Sequence, residues 1–185
     1  MASRHGATVQ GTDGNDYSNR ETIVKHYHVS AEKKSELKSR IFGHIILWLI
    51  MAMKLFPAIL DKLDIYIPEI KEIPISEPKT WEWIWAVNIL TTAVAWNACT
   101  KSKAFNMKIF QVLTILTGVI PIILGMNYHF RDAYAFVTGG WRNGLTVDVV
   151  PVLWYKFFLD ALYVHGTEFF LAHTLVNAWK PKKNN

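Results

Sequence analysis

The chain has 185 residues and a net charge of +5, with 51% of its residues hydrophobic and 19% charged. This composition excludes an intrinsically disordered chain, because such chains have few apolar residues and a high net charge. A single cysteine, Cys99, excludes an intramolecular disulfide framework and a cysteine-based zinc site. The mean hydropathy is only +0.13, but the apolar residues are gathered into blocks.

The first 40 residues are polar and charged, and they predict a cytosolic N-terminal segment. They contain GTDGND at 11–16, a turn-rich stretch without apolar periodicity that predicts a mobile motif. A helix is expected to begin at Ser30, with Ser30 as its N-cap and Glu32 in its first turn. This helix would continue as a basic pre-helix into the first apolar block.

Four apolar blocks of about 20 residues or more follow, each long enough to cross a bilayer core of roughly 30 Å. The alternative is four buried helices of a soluble domain, but the blocks are too long and too uniformly apolar for amphipathic packing. We therefore predict an all-α, four-span transmembrane helical bundle in the lipid bilayer. In chain order, the predicted parts are the cytosolic segment 1–40, transmembrane helix 1 at 41–60, a proline-rich acidic lumenal loop at 61–80, transmembrane helix 2 at 81–100, a basic cytosolic loop at 101–108, transmembrane helix 3 at 109–128, a lumenal loop at 129–148, a long transmembrane helix 4 at 149–178 and a cytosolic tail at 179–185.

The lysine and arginine residues predict the orientation of this bundle. Thirteen of them fall in the N-terminal segment, the loop 101–108 and the tail, whereas five fall in the other two loops. Because cationic residues near membrane spans stay on the cytosolic side, both termini are predicted to be cytosolic. The cations bracket apolar blocks and form no continuous basic face with interleaved aromatic residues, so no nucleic-acid partner is expected.

Ionisable residues inside predicted spans are functional hypotheses by default. His165 and Glu168 are three residues apart on one helical face near the middle of transmembrane helix 4, and they form the best candidate intramembrane polar site. Such a pair can relay a proton, bind a metal or contact a polar lipid headgroup. Equally, it can join helices through Asn88, Asn97 or His129, and we favour this structural interpretation.

The remaining polar residues of the spans have simpler interpretations. Lys156 and Asp160 are spaced i, i+4, so they are expected to neutralise each other near the lumenal entry of transmembrane helix 4. Lys54 is expected to snorkel towards the lumenal surface. Among the histidines only His26 and His28 are close in sequence, and no nucleophile motif or carboxylate cluster is present. We therefore expect no enzyme activity, no metal and no cofactor.

The chain closes with WKPKKNN, in which Lys182 and Lys183 stand fourth and third from the carboxyl end. On the cytosolic side, this dilysine spacing predicts a retrieval signal that the retrograde vesicle coat, COPI, would read. A basic stop-transfer cluster is the alternative.

The stretches GTDGND at 11–16, HYHVS at 26–30, KSELKSRIFGH at 34–44 and the closing AWKPKK resemble the Jagunal family over nearly the whole chain. IYIPEI and WEWIWA resemble its insect form most. The resemblance implies a multi-pass protein of the endoplasmic reticulum membrane with both termini cytosolic, and it implies no enzyme activity and no cofactor.

The same resemblance implies a role in endoplasmic reticulum organisation and vesicle-mediated transport in the secretory pathway, including membrane and receptor delivery in secretory cells. An unidentified cytosolic trafficking partner would bind the N-terminal segment. The alternative function is a small transporter or lipid-handling protein that uses Glu168 and His165, with the Lys156–Asp160 pair along a polar path. The sequence leaves the oligomeric state open.

Overall fold

The computed structural model describes residues 16–72, 75–140 and 150–179, and within them every regular element is helical. The all-α class is therefore confirmed. In chain order the elements are α1 (Asp16–Lys62), α2 (Pro68–Lys71), α3 (Thr80–Val87), α4 (Ile89–Lys101), α5 (Ala104–Leu113), the π-helical turn π1 (Thr114–Val119), α6 (Ile120–Tyr128), α7 (Phe130–Ala135), the π-helical turn π2 (Phe136–Gly140) and α8 (Val150–Ala178).

Each of the four apolar blocks is helical, and together they form four helical rods. In chain order, the first rod is α1, the second is α3 and α4, the third is α5 to α6 and the fourth is α8. By length and composition, the stretches Val24–Lys62 and Ala104–Tyr128 are able to cross a membrane. Membrane crossing by all four helical rods and the cytosolic placement of both termini remain predictions.

Helix α1 has 47 residues, so it is about 70 Å long, more than twice the thickness of a bilayer core. It begins at Asp16, and the expectation that the helix starts at Ser30 is wrong. The Ser30 hydroxyl does not cap a helix end, because it accepts a hydrogen bond from the Trp179 indole nitrogen (2.9 Å). No glycine or proline lies between these two positions to stop the helix.

The second and third rods are each interrupted near their middle. Asn88 separates α3 from α4 in a tight turn, in which its backbone N–H bonds to the Trp85 carbonyl (3.0 Å). In the third rod, π1 ends two residues before Pro121. A proline has no N–H and its ring crowds the carbonyl four residues earlier, here that of Thr117, so a wider turn relieves the clash.

The segments between the rods are more helical than expected. Within the predicted loop 61–80, α2 forms a single helical turn, with Pro68 at the first helical position, where its missing N–H costs nothing. The described part of the loop 129–148 is also helical, in α7 and π2. The motif at 11–15 and the tail residues Lys182 and Lys183 lie outside the described residues.

The bundle has two hydrophobic clusters with a polar layer between them. One cluster surrounds Phe110 and Leu175, and the other surrounds Trp85 and Phe158. Along α1 the order is Ile41 in the first cluster, a buried histidine, and then Leu47 in the second. In the other three rods, buried polar residues also lie between the two clusters, so these side chains meet at mid-height of the bundle.

Hydrogen bonds show which helix ends lie together. At one end, Lys34 on α1 donates to the Ser102 hydroxyl (2.7 Å). Ser102 lies in the turn between α4 and α5, which carries Lys101 and Lys103 and is called the basic turn below. At the same end, Trp179 after α8 contacts Ser30. At the other end, the Tyr155 hydroxyl donates to the Met126 carbonyl (2.9 Å). Residues 30–34 of α1, the basic turn and the end of α8 are therefore at the same end of the bundle.

Candidate functional site

The polar layer is centred on the Glu168 carboxylate, which is fully buried on α8. One carboxylate oxygen lies 3.2 Å from His44 Nδ1 on α1, and the other lies 3.3 Å from His165 Nδ1, one turn earlier on α8. The two imidazole rings are also buried and meet edge to face, with centroids 4.8 Å apart. A single carboxylate therefore joins α1 to α8.

The hydrogen positions in this layer follow from Trp85. Its indole nitrogen lies 3.2 Å from His165 Nε2, and an indole N–H can only donate. His165 Nε2 must therefore be an acceptor, so the proton of this neutral imidazole is on Nδ1 and is donated to Glu168. His44 has the same arrangement, because its Nε2 faces the Asn88 side-chain amide nitrogen at 3.4 Å.

Asn88 closes the ring from the opposite side. Its amide nitrogen lies 3.4 Å from both imidazole Nε2 atoms, and its amide oxygen accepts from the hydroxyls of Thr117 (2.8 Å) and Thr91 (3.1 Å). The turn between α3 and α4 directs this side chain inward, and π1 presents the Thr117 hydroxyl. The polar layer thus consists of His44, Trp85, Asn88, Thr91, Thr117, His165 and Glu168, and it links all four rods.

Gly118 in π1 allows this close packing. A Cβ atom at this position would lie 2.8 Å from the Asn88 amide nitrogen and 3.2 Å from the His165 ring. Real Cβ atoms do not approach a neighbour to 2.8 Å, so any side chain here would displace the two residues that close the ring.

The donor set also resembles a metal site, because ligand atoms of His44, His165 and Glu168 lie within 4.8 Å of one another. Zinc at 2.0–2.1 Å from each ligand would need ligand separations of about 3.3 Å and a free lone pair on each nitrogen. However, the Trp85 bond leaves His165 Nδ1 protonated, and each carboxylate oxygen already serves a different imidazole. The geometry fits a hydrogen-bonded ring better than a metal site.

A second buried ion pair lies nearer the opposite end of the bundle. Lys54 on α1 binds the Glu82 carboxylate on α3, and both side chains are largely shielded from solvent. The expectation that Lys54 snorkels is therefore wrong, because a buried carboxylate within reach is a better partner than a distant surface. The ammonium also lies 5.5 Å from the centre of the Trp154 ring.

The other predicted polar residues do not join the polar layer. Lys156 donates to Asp160 (2.6 Å), as expected from their spacing, but both side chains are on the exposed face of α8. Asn97 is exposed. His129 stacks on Trp154 near the opposite end, with ring centroids 5.6 Å apart.

Four members of the layer were not singled out by the sequence: His44, Trp85, Thr91 and Thr117. The expectation that the histidines do not cluster is wrong for His44 and His165. A signal was available, since His44 is a polar residue within the uniformly apolar block 41–60, where an unpaired imidazole is costly. Its partner lies 124 residues away, and no local spacing indicates that distance.

Together, these features define a small helical bundle that contains two helices long and apolar enough to cross a membrane and whose rods are joined by a buried polar ring. The family model described as "Jagunal, ER re-organisation during oogenesis" matches residues 1–183. The chain therefore belongs to the Jagunal family, as the sequence resemblance predicted. Membership implies a membrane protein of the endoplasmic reticulum.

Curated relatives match over nearly their full length. The chain is 34% identical to Protein jagunal of Drosophila melanogaster over 98% of this chain and 96% of the relative. It is 28% identical to Protein jagunal homolog of Caenorhabditis briggsae over all of both chains. It is 25% identical to Protein jagunal homolog 1 of Homo sapiens over 97% of this chain and 94% of the relative.

Proposed function

We propose that this protein is a non-enzymatic component of the endoplasmic reticulum membrane that acts in endoplasmic reticulum organisation and vesicle-mediated transport. The observation that carries the proposal is the family match over residues 1–183, whose description names re-organisation of this compartment. The polar layer supports a structural role for the bundle, because Glu168 binds His44 on another helix, and the Nε2 atoms of His165 and His44 bind Trp85 and Asn88 on the second rod.

The shape of the bundle supports recruitment of soluble partners at one end. Residues 16–29 of α1 form a polar helical segment of about 20 Å at this end, and part of it lines a groove with the last turns of α8. The basic turn between α4 and α5 lies beside it. We propose that this end faces the cytosol and that residues 16–29 of α1 bind a trafficking partner.

The tail would supply a second contact at that end. We propose that Lys182 and Lys183 bind the retrograde vesicle coat, COPI, and return the protein from the Golgi. Changing both to serine is expected to shift the steady-state protein towards the Golgi or the cell surface. The matched control changes Lys101 and Lys103 to serine, which removes the same charge from the basic turn. An unchanged reticular pattern for the tail variant, or an equal shift in the control, would refute the retrieval signal.

The role in transport is tested by depletion and rescue in secreting cells. Removing the protein is expected to disturb the reticulum and slow release of a secreted reporter, and the unaltered chain is expected to restore both. Normal morphology and normal secretion after complete depletion would contradict the proposed function.

The alternative is a small transporter or lipid-handling protein that uses Glu168 and His165. Glu168→Gln and His165→Ala in the rescue experiment separate the two functions. A folded, correctly located Glu168→Gln protein that fails to restore secretion would support the alternative. Full rescue by such a variant would exclude it.

A further inference from the structure

A groove of about 980 Å³ lies between α1 and α4, at the end of the bundle that carries the basic turn. It is separate from the polar layer. The residues that matter for its chemistry are Lys38, Ser39, Phe42 and Ile45 on α1, and Asn97 and Thr100 on α4.

The groove changes from polar to apolar along its length. On α1, Lys38 and Ser39 come first, and Phe42 and Ile45 follow over about 10 Å towards the middle of the bundle. Helix α4 runs in the opposite direction, so its last residues, Asn97 and Thr100, lie beside Lys38. Both walls therefore place free hydrogen-bonding groups at the outer end, whereas the inner end has Phe42 and Ile45 on α1 and, on α4, Thr92, whose hydroxyl already donates to the Ile89 carbonyl (2.6 Å).

The charge at the polar end is not neutralised. The Lys38 ammonium lies 5.1 Å from the centre of the Trp96 ring, and in the described part of the chain no carboxylate lies within 4.0 Å of it. Lys33, five residues earlier, is instead bound by Glu36 (2.8 Å) and Glu32 (3.3 Å). The aromatic ring holds the Lys38 side chain over the groove without supplying a countercharge.

We propose that this groove binds one anionic phospholipid, with its phosphate and acidic headgroup at Lys38, Ser39 and the Asn97 amide and an acyl chain along Phe42 and Ile45. The polarity gradient matches the order of headgroup and chain in a lipid, and the free ammonium selects an anionic headgroup over a zwitterionic one. The proposal rests on the membrane character of the family and is independent of the role in transport.

The test is native mass spectrometry of the purified full-length protein in a non-ionic detergent. The protein is titrated with phosphatidylserine, with phosphatidylcholine of the same acyl chains, and with water-soluble glycerophosphoserine. We expect a single phosphatidylserine adduct at a concentration at least fivefold below that for phosphatidylcholine, and no adduct with the soluble headgroup.

Two variants locate the site. Lys38→Gln is expected to weaken the phosphatidylserine adduct about fivefold, the effect of one cation at an anionic surface. The matched control, Lys103→Gln, removes an exposed lysine from the basic turn outside the groove and should leave the adduct unchanged. Ala93→Trp places a bulky ring in the groove without changing charge and should weaken the adduct, while circular dichroism and gel filtration confirm the fold.

The results that would overturn the proposal are distinct. Equal affinity for the two phospholipids would show that the headgroup is not selected. An equal loss in Lys38→Gln and Lys103→Gln would show general surface attraction. Binding of glycerophosphoserine as strong as that of the lipid would show a site for a soluble phosphate ester. An unaffected adduct in a folded Ala93→Trp protein would show that the lipid binds elsewhere.

Discussion

The packing of Gly118 against the polar layer predicts opposite effects for two glycine-to-alanine changes. In Gly118→Ala the new Cβ atom would lie 2.8 Å from the Asn88 amide nitrogen and 3.2 Å from the His165 ring. Gly166 on α8 has no heavy atom within 4 Å of the corresponding position. Both residues are helical, so the change in helix propensity is similar and only the surroundings differ.

The expected magnitudes follow from these contacts. Relieving the clash must move Asn88, whose hydrogen bonds to the two imidazoles are already 3.4 Å long, so those bonds are lost. Overpacking of this kind costs about 1–3 kcal/mol, and alanine returns up to about 1 kcal/mol in helix propensity. We expect Gly118→Ala to lower the free energy of unfolding by about 1–2 kcal/mol, and Gly166→Ala to raise it by about 0.5 kcal/mol.

The assay is thermal unfolding of the purified full-length variants in one detergent, followed by intrinsic tryptophan fluorescence. A gap of about 2 kcal/mol corresponds to roughly 4–8 °C in Tm for a chain of this size. The reasoning is refuted if Gly118→Ala unfolds at the same temperature as Gly166→Ala, because the polar layer would then tolerate a methyl group where the structure leaves no space.

Three further predictions use the same unfolding assay. Lys54→Met leaves the buried Glu82 carboxylate without its cation, so we expect the free energy of unfolding to fall by about 3 kcal/mol. The additional change Glu82→Gln should restore most of this loss, and no recovery would contradict the ion pair. Trp48→Phe removes the hydrogen bond to the Ala86 carbonyl (2.8 Å) and should cost about 1 kcal/mol, and an unchanged Tm would argue against that bond. Burial lowers the pKa of His129, so the unfolded chain binds its proton more readily, and stability should fall as the pH drops below the ordinary histidine value of about 6.5. His129→Phe should flatten this pH dependence, and an identical slope in both proteins would show that His129 does not titrate on unfolding.

The helical rods could be predicted from the sequence because the signal is local. A block of 20 apolar residues indicates its own helix, and the i, i+4 spacing of Lys156 and Asp160 fixes their contact. The proximity of His165 to Glu168 follows in the same way from three residues of separation.

Contacts between rods could not be predicted in this way. Glu168 meets His44 across 124 residues and Lys54 meets Glu82 across 28, and both pairings depend on how the rods are rotated against each other. The start of α1 was placed too late for a different reason. Serine is a frequent N-cap, but Ser30 receives a bond from Trp179 at the far end of the chain.

The central claim, that the protein acts in transport through partners at the predicted cytosolic end of the bundle, is tested most directly by proximity labelling in secreting cells. A labelling enzyme fused to the N-terminus is compared between the unaltered chain and the variant with serine at positions 182 and 183. The proposal predicts that subunits of the COPI coat are labelled by the unaltered chain and lost with the variant, because Lys182 and Lys183 are the proposed contact. Coat subunits absent from both samples, or equally abundant in both, would contradict it.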